Sequence, residues 1–337
     1  MEIRRCLAQE YPEFLREIND AFGEKQGWFE QNVSHCTPYP ADADNDLISQ
    51  HFVCISDGRI VGGLGAYPMH WAVCDDSGNQ MVLPVYGIGQ VFCAKAHRGH
   101  GVMARLMHAA EKDMLKAGNV LGFLGGVRSL YKRYNYDFCG NNVKYRIRKW
   151  ELSEFATKGT LTVRVAEMSD LPELELAYGS LPSGIVRENW SRLLMRPNFT
   201  WEIGEAEGKK AYLVYSKPEE ICEIYGDTSV AAAMLLKLLG EHESLQVFYP
   251  KSTTTVMGRW LYDNANYLEL NPLTQASIIN PDGLLDALSV DKSDFFESAR
   301  RDVCRYLLGF SHDVPPDDLP TISHKPFCAW MSEVDFI

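Results

Sequence analysis

The residues best suited to chemistry lie together at His97-Arg98-Gly99-His100-Gly101-Val102-Met103-Ala104. Ahead of them, Val91-Phe92-Cys93-Ala94 is an apolar run of buried-strand length. Behind them, Met103, Leu106, Met107, Ala110 and Met114 recur at the helical period, and Gly118-Asn119 supplies a stop. A strand, a turn with two glycines and a helix therefore follow without a break. Such a turn points free backbone N–H groups and the positive end of the helix dipole at one spot. Gly99 and Gly101 admit positive φ and close approach of a ligand to the main chain. The chemistry on offer is anion binding, with a phosphate or pyrophosphate as the natural occupant. On glycine spacing alone, an ordinary strand-to-helix turn is the alternative. Neither G-x-G-x-x-G nor G-x-x-x-x-G-K-[ST] is present.

Other reactive side chains are read beside this turn. Tyr131 carries a phenol that titrates at about 10. Taken alone, it reads as a core aromatic. Cys93 has no visible basic partner and reads as a buried hydrophobe rather than a nucleophile. His97 and His100 flank the turn, either as phosphate contacts or as solvated residues. His35-Cys36 lacks further ligands at metal spacing, so no metal is expected.

The elements that must position these groups follow from patterning. Ile3–Leu7 reads as a strand and Pro12–Phe22 as a helix with Gly23 as its stop. Lys25–Asp46, with Trp28, Phe29, His35 and Tyr39, is either a flap over an acceptor pocket or a loop pinned by its aromatics. His51–Ser56, Asp57-Gly58 and Arg59–Tyr67 read as a hairpin, Met69–Cys74 continues extended, and Met81–Val85 follows a second turn. Asn119–Gly125 is the next strand, and Val143–Lys149 a last one before a polar linker. Leu161–Val165 and Met168–Tyr178 then repeat the strand-and-helix opening. Strands at Trp201–Glu205, Lys210–Ser216, Ile221–Tyr225 and Leu245–Tyr249 alternate with helices at Val230–Leu239 and Thr254–Ala265. The tail from Pro326 to Ile337 is apolar for a chain end and is expected to dock on the body.

Composition sets outer limits. A chain of 337 residues can hold two domains, and 46% hydrophobic with 23% charged residues is ordinary for a soluble protein. A net charge of −12 argues against nucleic acid as partner and is compatible with a cationic amine substrate. Nine cysteines without pairing pattern suggest free thiols in a reducing compartment. No signal-type or membrane-spanning run is read, so a cytoplasmic protein without membrane association is expected.

Arg98-Gly99-His100-Gly101-Val102 resembles the R-G-x-G-[IV] core of motif A in GCN5-related N-acetyltransferases (GNAT). Met103 after the core, and Tyr86-Gly87-Ile88-Gly89-Gln90-Val91 ahead of it, look like the Eis-type branch of that superfamily. Lys95 stands where many relatives have proline. Tyr131-Lys132-Arg133-Tyr134-Asn135-Tyr136 resembles motif B, Y-x-R-[FY]-G-[FY], with Asn135 in place of glycine, a residue that tolerates the left-handed conformation.

This resemblance implies an α/β GNAT fold, with a mixed, mostly antiparallel sheet flanked by helices. It implies a catalytic domain over 1–150, a linker over 151–160 and a degenerate GNAT-like domain over 161–272. A docked extension over 273–337 would be a reduced sterol-carrier-like element at most. The implied activity moves an acetyl group from acetyl-CoA, as co-substrate, to a primary amine by direct attack in a ternary complex. The acceptor would be a small molecule or a peptide. Gly99 to Ala104 with Arg98 would hold the pyrophosphate, Val91, Phe92 and Cys93 the pantetheine arm, and Gly126 and Val127 would line the cofactor. Tyr131 would be the general acid, and the terminal carboxylate of Ile337 the base. Relatives form homo-oligomers. A non-catalytic acetyl-CoA sensor or scaffold, and a transferase for a different acyl-CoA, are the alternatives.

Overall fold

In β1 (Glu2–Arg5) and β2 (His51–Ser56) the chain lays down an antiparallel pair. Asp57 and Gly58 then take φ of +51° and +74°, the left-handed values of a tight hairpin turn. That turn feeds β3 (Arg59–Cys74), a single strand where two extended segments were expected, and β3 pairs antiparallel with β4 (Gln80–Cys93). The helix Val102–Lys116 carries the chain over to β5 (Leu121–Gly125), which runs parallel to β4. The chain is described here from a computed structural model, over residues 1–37, 45–75, 77–126, 128–140, 142–240, 242–250, 255–265, 267–270, 274–310 and 335.

Side-chain alternation gives this first sheet two buried faces. Phe52, Cys54, Leu64 and Ile88 join the cluster under Val102–Lys116, with Leu106, Met107, Ala110 and Met114. Val53, Ile60, Tyr67 and Phe92 join the cluster under helix Tyr11–Phe22, with Tyr11, Phe14, Leu15 and Ile18. Gly62 and Gly63 sit where a Cβ would strike Val102 on one side and Phe14 on the other, so both helices pack close.

The sheets exchange strands. After β6 (Asp137–Cys139), β7 (Asn142–Arg148) does not close the first sheet as its position in the chain suggests. It enters a second sheet with β8 (Thr162–Val165), β10 (Thr200–Ala206), β11 (Lys209–Lys217), β12 (Glu220–Gly226), β13 (Ser244–Pro250) and β14 (Tyr267–Leu270). There its Val143, Tyr145 and Ile147 are fully buried in the second core. The vacated place between β5 and β6 is taken by β15 (Thr274–Ile278), every residue of which is buried. The short strand β9 (Gly184–Ile185) also crosses over, pairing with β3. The C-terminal helices Pro281–Ala287 and Arg300–Leu307 pack under the first sheet through Leu284, Leu285, Val303 and Leu307. Although β15 and these two helices come after β14 in the chain, they are built into the first half. The stretch expected as a polar linker is helical over Lys149–Phe155, because the Glu151 carboxylate accepts from the Arg148 N–H at 2.5 Å and Leu152 is buried.

The two halves open alike. Arg4 donates to both oxygens of Glu10 (2.7 and 2.5 Å), which also accepts from the Leu7 N–H. Arg164 donates to both oxygens of Asp170 (2.7 and 2.6 Å), which also accepts from the Glu167 N–H. Each unit ties a first strand to the helix after it, and each helix has proline in its first turn.

One ion-pair cluster joins distant parts of the chain. Arg187 is bonded to Glu223 and to Asp335, the latter at 2.6 Å, and its guanidinium lies 3.9 Å above the Tyr178 ring. The side chains of all three charged residues are at most 2% exposed. The rest of the apolar tail, Ile337 included, lies outside the described residues.

Acid stability should report the Arg164–Asp170 unit. The hydrogen bond from Arg164 holds the Asp170 carboxyl down to about 2. Its contribution is complete above the ordinary aspartate value of about 4 and is lost as pH falls through about 2. Asp170→Asn should therefore cost about 1 kcal/mol or less at pH 7, since Arg164 is half exposed, and should flatten the fall in Tm between these two values. Parallel melting curves for the two proteins across that range check this.

Candidate active site

The site begins with a strand that loses its neighbour. β4 pairs with β5 only through Val85, Tyr86 and Gly87, opposite Leu121, Gly122 and Phe123. β4 nevertheless runs on to Cys93, still paired to β3 on its other side. Two of its residues, Gln90 and Val91, face the single Leu64 of β3, which makes a bulge and bends the strand. Beyond it the Ala94 N–H donates to Val61 O at 3.0 Å, so alternation turns the main-chain groups of Val91 and Cys93 away from β3, toward the open side. The Arg98 Nε fits this, donating to Cys93 O at 3.3 Å.

The helix Val102–Lys116 starts beside that open edge. Gly99 and Gly101 take φ of +82° and +75°, as the turn requires. The first intrahelical bond is Arg105 N–H to Gly101 O, which leaves the N–H groups of Val102, Met103 and Ala104 without helical partners. Among the described residues no side chain caps this end, and no acidic residue lies in its first turn. It opens on a cleft of about 570 Å³ lined by Val91, Phe92, Cys93, Arg98, Gly99, Gly101, Val102, Met103 and Ala104.

Most of the residues singled out from sequence are thus brought together, with exceptions. His100 is exposed and its Nδ1 lies 3.1 Å from Arg98 O, so it serves its own turn. Gly126 does not line the cleft; its carbonyl accepts from the Gln275 Nε2 at 3.0 Å. Val127 lies outside the described residues. The cleft also takes in Phe22, His97, Arg128, Leu130, Arg133 and Tyr134. The motif B resemblance pointed toward Arg133 and Tyr134, but nothing in the sequence marked Phe22 or Arg128. Arg98, Arg128 and Arg133 are exposed and in no ion pair among the described residues, in a chain of net charge −12.

Tyr131 sits on the short helix Ser129–Tyr134, which ends on Asn135 at φ +62°. The neighbours Leu130 and Tyr134 face the cleft, while Tyr131 packs toward the cluster of helix Val102–Lys116 and meets Tyr136 edge-on at 6.4 Å. Burial raises its pKa, so the phenol stays protonated at neutral pH.

The second half shows what closes such a site. β12, the helix Thr228–Leu239 and β13 repeat the strand–helix–strand unit with parallel pairing. Here the Asp227 carboxylate accepts from the N–H groups of Ser229 and Val230, at 3.0 and 3.2 Å. A resident carboxylate occupies the place an external anion would take.

Residues 2–139 match the family model described as an acetyltransferase (GNAT) domain. Among solved structures, a GCN5-related N-acetyltransferase from Kribbella flavida aligns with a TM-score of 0.62 at 16% identity, covering 85% of this chain and 74% of that one. Another from Anabaena variabilis gives 0.63 at 13% identity, covering 85% and 74%. Eis1 from Mycobacterium abscessus gives 0.58 at 12%, covering 85% and 76%. At these identities the likeness is one of fold. No curated protein matches the chain in sequence. The family match falls on the half that carries the cleft, and over 85% of the chain the fold is like that of solved GCN5-related N-acetyltransferases. A GNAT-type fold, with a second sheet and a second strand–helix–strand unit behind the matched half, is the class that this architecture defines. No helix among the described residues is long and apolar enough to cross a membrane.

Cys93 offers a direct probe of the cleft. It is the one described cysteine that is not buried, and partial burial raises its pKa. Native-state thiol labelling should reach Cys93 first among the described cysteines, more slowly than a free thiol, and a ligand filling the cleft should protect it. Mass-spectrometric mapping of the labelled site checks this.

Proposed function

We propose that this protein is an N-acetyltransferase that uses acetyl-CoA as co-substrate and a primary amine as acceptor. The observation that carries the reading is the uncapped start of helix Val102–Lys116, set against the open edge of β4 and three arginines that are in no ion pair among the described residues. A diphosphate suits the N–H groups of Val102, Met103 and Ala104, with Arg98 beside them. An extended amide chain suits the main-chain groups of Val91 and the Cys93 N–H, which face the open side. Acetyl-CoA joins those two chemistries in one molecule.

In the reaction a C–N bond forms as the C–S bond breaks. The departing thiolate needs a proton, and the amine must lose one. Tyr131, kept protonated by burial, is the proposed donor. The acceptor is proposed to enter through a second cavity of about 120 Å³, lined among others by His35, Cys36, Tyr67, Met69, Asn189 and Asp335. Asp335 lies two residues before Ile337, whose terminal carboxylate is the proposed base.

Calorimetry with acetyl-CoA followed by thiol release against a panel of amines tests the assignment. Tyr131→Phe should lower kcat by about 10²–10⁴-fold with acetyl-CoA affinity retained. Unchanged turnover there, with loss in Tyr134→Phe, would move the donor role to Tyr134, which faces the cleft. Adding two residues after Ile337 should abolish turnover and spare acetyl-CoA binding; full activity in that protein removes the terminal carboxylate from the mechanism. The competing reading is a sensor that binds acetyl-CoA without turnover, and the packing of Tyr131 against Tyr136 favours it. Tight binding with no thiol release from any amine would establish that reading.

A further inference from the structure

Gln90 holds φ of +56° inside a strand, a left-handed conformation that non-glycine residues rarely adopt there. Strain of this kind persists only where surroundings over-determine it. The surroundings here are a buried polar network. The Gln90 carboxamide is hydrogen-bonded to the Thr37 hydroxyl, lies 3.6 Å from Cys36 Sγ and is 3.2 Å from His51 Nε2. His51 is fully buried, and its Nδ1 lies 3.0 and 3.2 Å from the carbonyls of Leu47 and Ile48, so Nδ1 carries the proton. Its Nε2 accepts from the Tyr67 hydroxyl at 2.9 Å. Burial holds the His51 pKa at about 4, so the ring is neutral at physiological pH and packs beside Gln90, while the carboxamide is held by its own donation to Thr37. Tyr67 reaches it by lying across Gly65, where a Cβ would fall inside the phenol.

None of His51, Thr37 and Gln90 lines the cleft. What the network fixes is the bulge itself, and everything after the bulge on β4 takes its facing from it. We infer that Gln90 is a positioning residue, its buried carboxamide locking the β4 bulge so that the main-chain groups of Val91 and Cys93 face the pantetheine arm of coenzyme A. This inference rests on the acetyl-CoA reading of the cleft. The diphosphate end of the ligand depends on a different element, the turn at Arg98–Ala104, and gives the test an internal control.

The experiment is calorimetric titration of the full chain with coenzyme A and with 3′-phospho-ADP, which keeps the diphosphate and lacks the pantetheine arm. Wild type is compared with Gln90→Ala, Gln90→Gly and Thr37→Val. Gln90→Gly removes the anchor while suiting the left-handed backbone, so it adds no backbone strain. Coenzyme A should bind about tenfold more weakly to both Gln90 variants, and 3′-phospho-ADP within about twofold of wild type, as loss of hydrogen bonds to the arm alone would give. Thr37→Val should shift coenzyme A in the same direction. Coenzyme A affinity unchanged in both Gln90 variants, or an equal loss for both ligands, overturns the inference. Wild type that binds neither ligand overturns the acetyl-CoA reading, and this inference with it.

Discussion

A strand in the middle of a sheet has hydrogen-bonding partners on both sides, and β4 gives up one of them after Gly87. Every other feature of the site depends on that interruption. It leaves main-chain donors and acceptors uncovered in a protein otherwise careful to pair them. It also makes room for the start of helix Val102–Lys116, so that unpaired strand groups and unpaired helix N–H groups meet in one cleft. A bulge of two residues against one, at Gln90 and Val91, sets the direction in which the uncovered groups point.

The second half of the chain starts from the same plan and reaches the opposite outcome. Its opening unit repeats the first down to an arginine fork on a carboxylate and a proline in the first helical turn. Its central helix, however, begins on Asp227, whose side chain satisfies the N–H groups that the first half leaves free. Capping stabilises a helix by roughly 1 kcal/mol and removes an anion site in the same step. The first half forgoes that stabilisation, and three arginines that are in no ion pair among the described residues lie where the uncapped end opens.

Two kinds of joint make the halves one molecule. Strands are traded, with β7 leaving for the second sheet and β15 filling the gap between β5 and β6. Arg187 then gathers Glu223 from the second sheet and Asp335 from the far end of the chain. Removing one member would leave buried charge uncompensated, which is far more costly than losing a surface pair. Asp335 and Arg187 also line the smaller cavity beside Tyr67 and His35, so this joint and that cavity share a wall.

Local signals carried much of this. The helix Val102–Lys116, its two-glycine entry and the hairpin at Asp57-Gly58 are dictated by residues close in sequence, and so they were legible there. The duplicated opening showed in the order of elements, though not the forks that Arg4 and Arg164 make. The sheet to which β7 belongs was not legible, because β7 alternates in polarity equally well for either sheet, and only long-range packing of Val143, Tyr145 and Ile147 selects one. The same reason hid Arg128 and Phe22 in the cleft wall and the network holding Gln90. Such contacts join residues tens of positions apart, and hydrogen bonds of that range leave no period in a sequence. The chain by itself determined which segment could grip an anion; the tertiary structure alone decided what stands around it.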